Sequence, residues 1–445
     1  TGTNMLIDLH KPDINKAKVK LGDLDTLAPF PRKLEYSCPS RGGWTIAHTP
    51  MIIPGSHMIY IGASACLRGV VLSAAEYEGL DRFSMVLIEE KDILSGNMEE
   101  LFIEGVTDIL NKLDHKPTCV LPFTGCIHYF LATDIEYIYD ELSARFPDID
   151  FISSQMTPTM KINDHTPEED MCRSMYLCIE EQPLNDKVVN FIGDSFPIDR
   201  SGDHMKLLHD NGFRTHDLAS IDDYDEYKAM GESFLNIYSL PIAKWSTECL
   251  EERLGQKSLY MPYTYDYDEI DHDMSALSKI IGAPAPDFAS LRAEADEALR
   301  DALSVIGDAQ IAIDFMSTPR FLSLAKLLLS RGFNVTEIYG DALTPDSKPD
   351  LEWLQQNYPD IPLIATQDFR ARFYPRDEAE GGKLLAIGQK AAYFTGTNHF
   401  VNLIANNGWY GYDAIKKLAA EMIDAFNNEK DTKSIIQVKA WGCSA

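Results

Sequence analysis

Three of the eight cysteines in this 445-residue sequence sit where thiols do more than pack. Cys38 lies in Glu35-Tyr-Ser-Cys-Pro-Ser-Arg-Gly-Gly-Trp44, which its Pro39 and Gly42-Gly43 mark as a loop. Cys66 ends Ile59-Tyr-Ile-Gly-Ala-Ser-Ala-Cys66, just past an apolar strand pattern and at the start of an expected helix. Cys126 follows Leu121-Pro-Phe-Thr-Gly125, again just past a strand pattern. Thiolates are the ligands that iron–sulfur clusters take, and a helix start or a nearby cation favours the thiolate. Gly62 and Gly125 leave room for the backbone to approach such a group and donate N–H to it. The long, unequal spacings match no short cysteine motif. On the residues alone two readings stay open: a metal site, or buried structural thiols, which is what most free cysteines are.

The other cysteines read as packing residues. Cys172 and Cys178 are six apart on one expected helix, which sets them about 120° apart and not on a shared face. Cys119 falls within a strand pattern and Cys249 within an amphipathic helix pattern, while Cys443 is a tail thiol. An even count in a long chain without a signal pattern in Thr1 to His10 points to reduced thiols, not disulfides. The acidic runs Asp222 to Glu226 and Tyr263 to Asp273 lack the Gly of a calcium loop and read as solvated faces.

Strands alternating with helices must position the three thiols. Met58–Gly62, Met85–Ile88 and Thr118–Pro122 are short apolar runs. Between the last two, Met98, Leu101, Phe102, Val106, Ile109 and Leu110 recur at a helical period. Strand, helix, strand at this spacing is a crossover unit of a parallel sheet. The pattern repeats from Lys187 to Gly255 and again from Ala309 to Asn427. The expected fold is therefore α/β, with three Rossmann-like doubly wound domains and parallel sheets. The expected divisions are 1–165, carrying the cysteines, 166–285, and 286–445 with a closing helix and tail. Ala-Pro-Ala-Pro near Pro284 supplies a linker signal for the second boundary. Ligands in such sheets gather outside the carboxyl ends of the strands.

Composition narrows the class. Apolar residues make up 45% and charged residues 24%, which excludes disorder. The net charge of −29 opposes binding to nucleic acid or to an anionic membrane surface. No apolar run is long enough for a membrane span. A cytoplasmic location is the expectation.

Several segments together resemble the nitrogenase component 1 family. Pro54-Gly-Ser-His57 and Gly62-Ala-Ser-Ala-Cys66 are similar to the segment holding that family's second cluster cysteine. Gly125-Cys126 with Phe130-Leu-Ala-Thr-Asp134 resembles the third, and Cys38 falls in the place of the first. Val189-Asn-Phe-Ile-Gly193, the Ala309–Asp314 run and Gly408-Trp-Tyr-Gly-Tyr-Asp413 extend the resemblance along the chain. It implies an oxidoreductase subunit in which Cys38, Cys66 and Cys126 hold an iron–sulfur cluster, of [4Fe-4S] or [8Fe-7S] type, bridging two subunits. It also implies a paralogous subunit as partner, in a heterotetramer or homodimer, a separate ATP-dependent iron–sulfur reductase protein, and a small-molecule substrate. The lack of a Gly-x-x-x-x-Gly-Lys loop fits nucleotide binding on that reductase.

The chain departs from the catalytic nitrogenase subunit. Leu235-Asn-Ile-Tyr-Ser239, which matches the region of the family's cofactor cysteine, has none. The region of its cofactor histidine, Val401 to Ala405, has no histidine, and the nearest is His399. Dinitrogen is therefore not the expected substrate. Lys161 and His165, in a segment that the resemblance places beside the cofactor side, and His399 are candidate proton donors. Each also reads as an ordinary loop residue, His165 preceding a helix opened by Thr166-Pro167. Two alternatives remain: a cluster-assembly scaffold on the same fold, or a metal-free Rossmann-like binding protein.

Overall fold

The computed structural model describes residues 12–30, 34–40, 48–76, 78–157, 163–376 and 383–436. Two compact units divide the chain. One comprises residues 44–198 and 208–262; the other comprises 1–43, 199–207 and 263–445.

The first unit carries two parallel sheets. In one, Phe83–Leu87, Ser56–Gly62, Cys119–Gly125 and Asp150–Phe151 lie in that order, with Ser154–Met156 pairing further along Cys119–Gly125. Every residue of Ser56–Gly62 and of Cys119–Gly125 is buried. That is the pattern of a parallel sheet covered on both faces. Ile59, Ile61 and Val120 turn to one side, where Phe102, Val106, Ile138 and Leu142 cover them. Met58, Tyr60, Leu121 and Phe123 turn to the other, and Tyr60 stacks on Phe123 at 4.2 Å between ring centroids. The crossover helices are Ser64–Glu76, Met98–Lys112 and Ile135–Arg145. Asp134 caps the last of these by accepting the Tyr137 N–H. The second sheet orders Lys257–Tyr260, Ser233–Tyr238, Asn185–Phe191 and Arg214–Asp217, all parallel.

The second unit holds a six-stranded sheet, in the order Lys18–Lys20, Pro362–Ile364, Asn334–Tyr339, Gln310–Asp314, Leu384–Ile387, Phe400–Val401. Its first strand is antiparallel and the others are parallel. Three sheets flanked by helices bear out the α/β, Rossmann-like expectation. The strand Lys18–Lys20 lies at the edge of the sheet built from residues 310–401, although sequence order puts it in the 1–165 block. The Ala-Pro-Ala-Pro segment joins two long helices of one unit, Tyr267–Ile281 and Phe288–Ile306, and the latter packs along Gly411–Asn427.

The run Tyr263 to Asp273 is not the solvated face that its acidity suggests. From Tyr267 it is helical, and the period of the helix turns Ile270, Asp273, Met274 and Leu277 inward. No described helix is long and apolar enough to cross a membrane.

Candidate metal centre

Ser56–Gly62 and Cys119–Gly125 are hydrogen-bonded parallel neighbours, with Tyr60 opposite Phe123. Their carboxyl ends therefore open on the same edge of the sheet. Beyond Gly62 the chain turns at Ala63 into the helix Ser64–Glu76. The Cys66 N–H donates to the Ala63 carbonyl at 2.9 Å, which fixes Cys66 in the first turn, exposed. Beyond Gly125 the short helix Cys126–Phe130 begins, and Cys126, half-buried, is its first residue. Parallel topology brings two of the three expected ligands to one edge, because each crossover connection leaves a strand at that end.

The glycines play a different part from the one expected. The Gly125 N–H points inward to His128 Nδ1 at 3.0 Å, so it is not offered outward. His128 is fully buried and meets Phe102 edge-on at 5.5 Å. Burial lowers its pKa and keeps the ring neutral, as an acceptor must be. The Gly62 carbonyl accepts the Ile88 N–H at 3.0 Å. A Cβ on Gly125 would meet only the Ile61 carbonyl at 3.6 Å, and one on Gly62 would meet Leu67 at 3.4 Å. Packing within the chain therefore does not require glycine at either place.

Cys38 belongs to the other unit. It is 6% exposed, and its sulfur lies 3.3 Å from Ser40 Oγ and 3.2 Å from Lys390 Nζ. Nearby, the Tyr36 and Tyr393 hydroxyls share a 2.6 Å hydrogen bond, and the Arg376 guanidinium lies over the Tyr393 ring at 4.2 Å. Lys390 stands 352 residues from Cys38 and no local pattern announces it. Among the described residues, no three His, Cys, Asp or Glu side chains gather into a metal-binding group.

The remaining cysteines behave as packing residues. Cys119 and Cys172 are fully buried. Burial pushes the Cys172 thiol up to about 12 and the Cys178 thiol up to about 11, and it raises Cys119 and Cys249 as well. Such thiols stay neutral and unreactive at neutral pH. The helix expected to carry both Cys172 and Cys178 ends at Ser174, so Cys178 lies beyond it. None of the described cysteines forms a disulfide. Cys443 and Lys161 lie outside the described residues.

Of the candidate proton donors, His399 is 9% exposed and tied down. Its Nδ1 is 2.9 Å from the Ala425 carbonyl and its Nε2 is 3.7 Å from Glu429. His165 stacks on Trp245 at 3.6 Å with the rings 2° from parallel, and its Nδ1 is 3.9 Å from Glu169. Trp245 also carries the Arg173 guanidinium at 4.5 Å, so its ring holds both groups in place.

The sequence pattern of one family, described as nitrogenase component 1 type oxidoreductase, matches residues 48–427. The chain belongs to that family. Its fold is similar to two solved nitrogenase structures. For nitrogenase Cp1 at pH 6.5 the TM-score is 0.66 at 14% identity, covering 89% of this chain and 94% of the other. For nitrogenase Cp1 at pH 5 the TM-score is 0.55 at 11% identity, covering 93% and 94%. No curated protein matches the chain at a significant level. Membership makes the chain an oxidoreductase-type subunit of a family that binds iron–sulfur clusters and works with a paralogous subunit and a reductase component.

Proposed function

We propose that the chain is a subunit of a nitrogenase-like oxidoreductase holding an iron–sulfur cluster through Cys38, Cys66 and Cys126. It takes low-potential electrons from an ATP-dependent iron–sulfur reductase and passes them to a small molecule other than dinitrogen. The observation that carries this reading is the placing of Cys66 and Cys126 beyond neighbouring parallel strands, at one sheet edge. A cluster bound there would supply reversible one-electron storage. The donor set fits the group: Cys66 is open to solvent, Cys126 is half-buried, and the glycine that ends each strand is not needed for packing.

Three cysteines from one chain leave coordination for a partner, so a bridging cluster shared with a paralogous subunit follows. Exposed Phe130 and Leu72 lie on the two helices that follow the strands, close in sequence to Cys126 and Cys66, and exposed Leu131 lies just past the end of Cys126–Phe130. Such apolar surface beside the ligands suits a docked subunit. A substrate other than dinitrogen follows from the missing cofactor ligands. Leu235–Ser239 has no cysteine, and His399 has its Nδ1 at the Ala425 carbonyl.

Anaerobic purification with iron and acid-labile sulfide analysis tests the reading. Cys66→Ser and Cys126→Ser are expected to lose most of the iron, while Cys119→Ser and Cys172→Ser keep it. Iron-free wild-type protein, or full iron in C66S and C126S, would defeat the assignment.

A further inference from the structure

We propose that Lys390 is a positioning residue for Cys38, donating a hydrogen bond to the sulfur and holding it in a fixed rotamer beside a positive charge. The proposal rests on the reading of Cys38 as a cluster ligand.

The fold takes trouble to place this lysine. The strand Leu384–Ile387 ends at Gly388, and the helix Gln389–Thr395 starts at once, with Lys390 as its second residue. Gly388 has φ +105°, and a Cβ there would lie 2.3 Å from Asp314 Oδ2. Only glycine lets the chain pass so close to that carboxylate in a left-handed conformation. Asp314 is fully buried at the end of Gln310–Asp314 and accepts the N–H groups of Met316 at 2.8 Å, Ser317 at 3.0 Å and Ala391 at 2.8 Å. It pins the first turn of the helix to the end of the neighbouring strand.

A cation in that first turn faces the positive end of the helix dipole, which disfavours it. Its position needs a negative partner. Among the described residues, the Lys390 ammonium donates to the Cys38 sulfur and forms no ion pair. The Asp314 charge is within electrostatic reach, but that carboxylate is already held by three backbone N–H groups. The Lys390 ammonium also lies 5.5 Å over the Phe315 ring, which shields it from water on that side. Ser40 Oγ supplies a second polar contact to the sulfur at 3.3 Å. A ligating sulfur carries negative charge, and hydrogen bonds and cations around it favour the reduced, more electron-rich state of the group it holds. Lys390 thus orients the ligand and raises the reduction potential.

The test uses the full chain, purified anaerobically with its cluster, in the forms Lys390→Met, Lys390→Gln, Lys390→Arg and Cys38→Ser. Iron and sulfide content are measured, with the midpoint potential from redox titration followed by electron paramagnetic resonance. K390M is expected to keep its iron and to shift the reduction equilibrium about tenfold toward the oxidised state, ~59 mV for a one-electron couple. K390R should match wild type, and K390Q, which keeps a donor without the charge, should fall between. K390M with full iron and an unchanged midpoint overturns the role of Lys390 and leaves the ligand reading standing. C38S with full iron and an unchanged midpoint overturns the ligand reading, and the role of Lys390 with it. If K390M holds less iron, K390Q and K390R are compared instead: a lower midpoint in K390Q supports the proposal, and equal midpoints overturn it.

Discussion

Replacing Asp273 by Asn is expected to stabilise the protein near pH 8 and to change little near pH 4. Asp273 faces inward from the helix Tyr267–Ile281 and is 8% exposed. Burial is the largest influence on its carboxyl group, and the negative Glu269 one turn earlier adds to it. The Arg320 guanidinium and the Tyr410 hydroxyl oppose the shift, yet the carboxyl is still pushed up from 3.8 to about 7. Between those two values the folded chain holds a proton that the unfolded chain has released. Stability therefore falls as pH rises through this window. At 1.36 kcal/mol per pH unit, the loss over some 3 pH units is about 4 kcal/mol. Such a loss is a large part of the ~5–15 kcal/mol by which domains are stable. Asn keeps the shape and cannot ionise, so the loss disappears. Two compact units need not unfold together. Hydrogen exchange within Tyr267–Ile281, with urea midpoints, therefore reports on the relevant one. The difference between D273N and wild type should grow steadily from pH 4 to pH 7 and then level off. A difference that is the same at pH 5 and pH 8, or D273N weaker at pH 8, refutes the reasoning.

Arg320 is 4% exposed and bridges Glu269 at 3.0 Å and Asp350 at 2.8 Å, with Asp350 itself 1% exposed. Arg320→Met leaves the buried Asp350 with Lys326 alone, at 3.3 Å, and is expected to cost about 1.5–3 kcal/mol for the lost charged hydrogen bond; a thermal midpoint within a degree of wild type would contradict that. Gly388→Ala should add about 1–3 kcal/mol of backbone strain at φ +105° and push on the Asp314 carboxylate besides, lowering the melting temperature. An unchanged melting curve for G388A would mean that the turn relaxes freely. His399→Gln is expected to lose about 1 kcal/mol of stability with its bond to the Ala425 carbonyl, leaving iron content untouched. Loss of cluster iron in H399Q would return His399 to the site.

Much of the fold was legible because apolar runs in parallel sheets are local signals. Asn334–Tyr339 and Leu384–Ile387 are such runs, within the repeat expected from Ala309 to Asn427. Val-Val-Asn-Phe within Asn185–Phe191 is equally plain. Gly255 closes Lys244–Leu254 at φ +71°, as a left-handed cap should. The pairing of Lys18–Lys20 with residues 362–364 was not legible. Three residues alternating Lys-Val-Lys carry almost no strand signal, and their partner lies some 340 residues away. The helix Tyr267–Ile281 was hidden for another reason: charge frequency in Tyr263 to Asp273 suggested solvent, while the inward face depended on every third or fourth residue.

At the candidate site the division is similar. Sequence by itself determined that Cys66 and Cys126 lie just past strands, and that Cys66 stands at a helix start, because those patterns are contiguous. It also marked the missing cofactor ligands. Only the tertiary structure decided that the two strands are neighbours, so that both thiols reach one edge. It alone turned the Gly125 N–H inward to His128, tied His399 to a helix carbonyl and set Lys390 against Cys38. Each of these is a contact whose register comes from packing, and no spacing along the chain encodes such a contact.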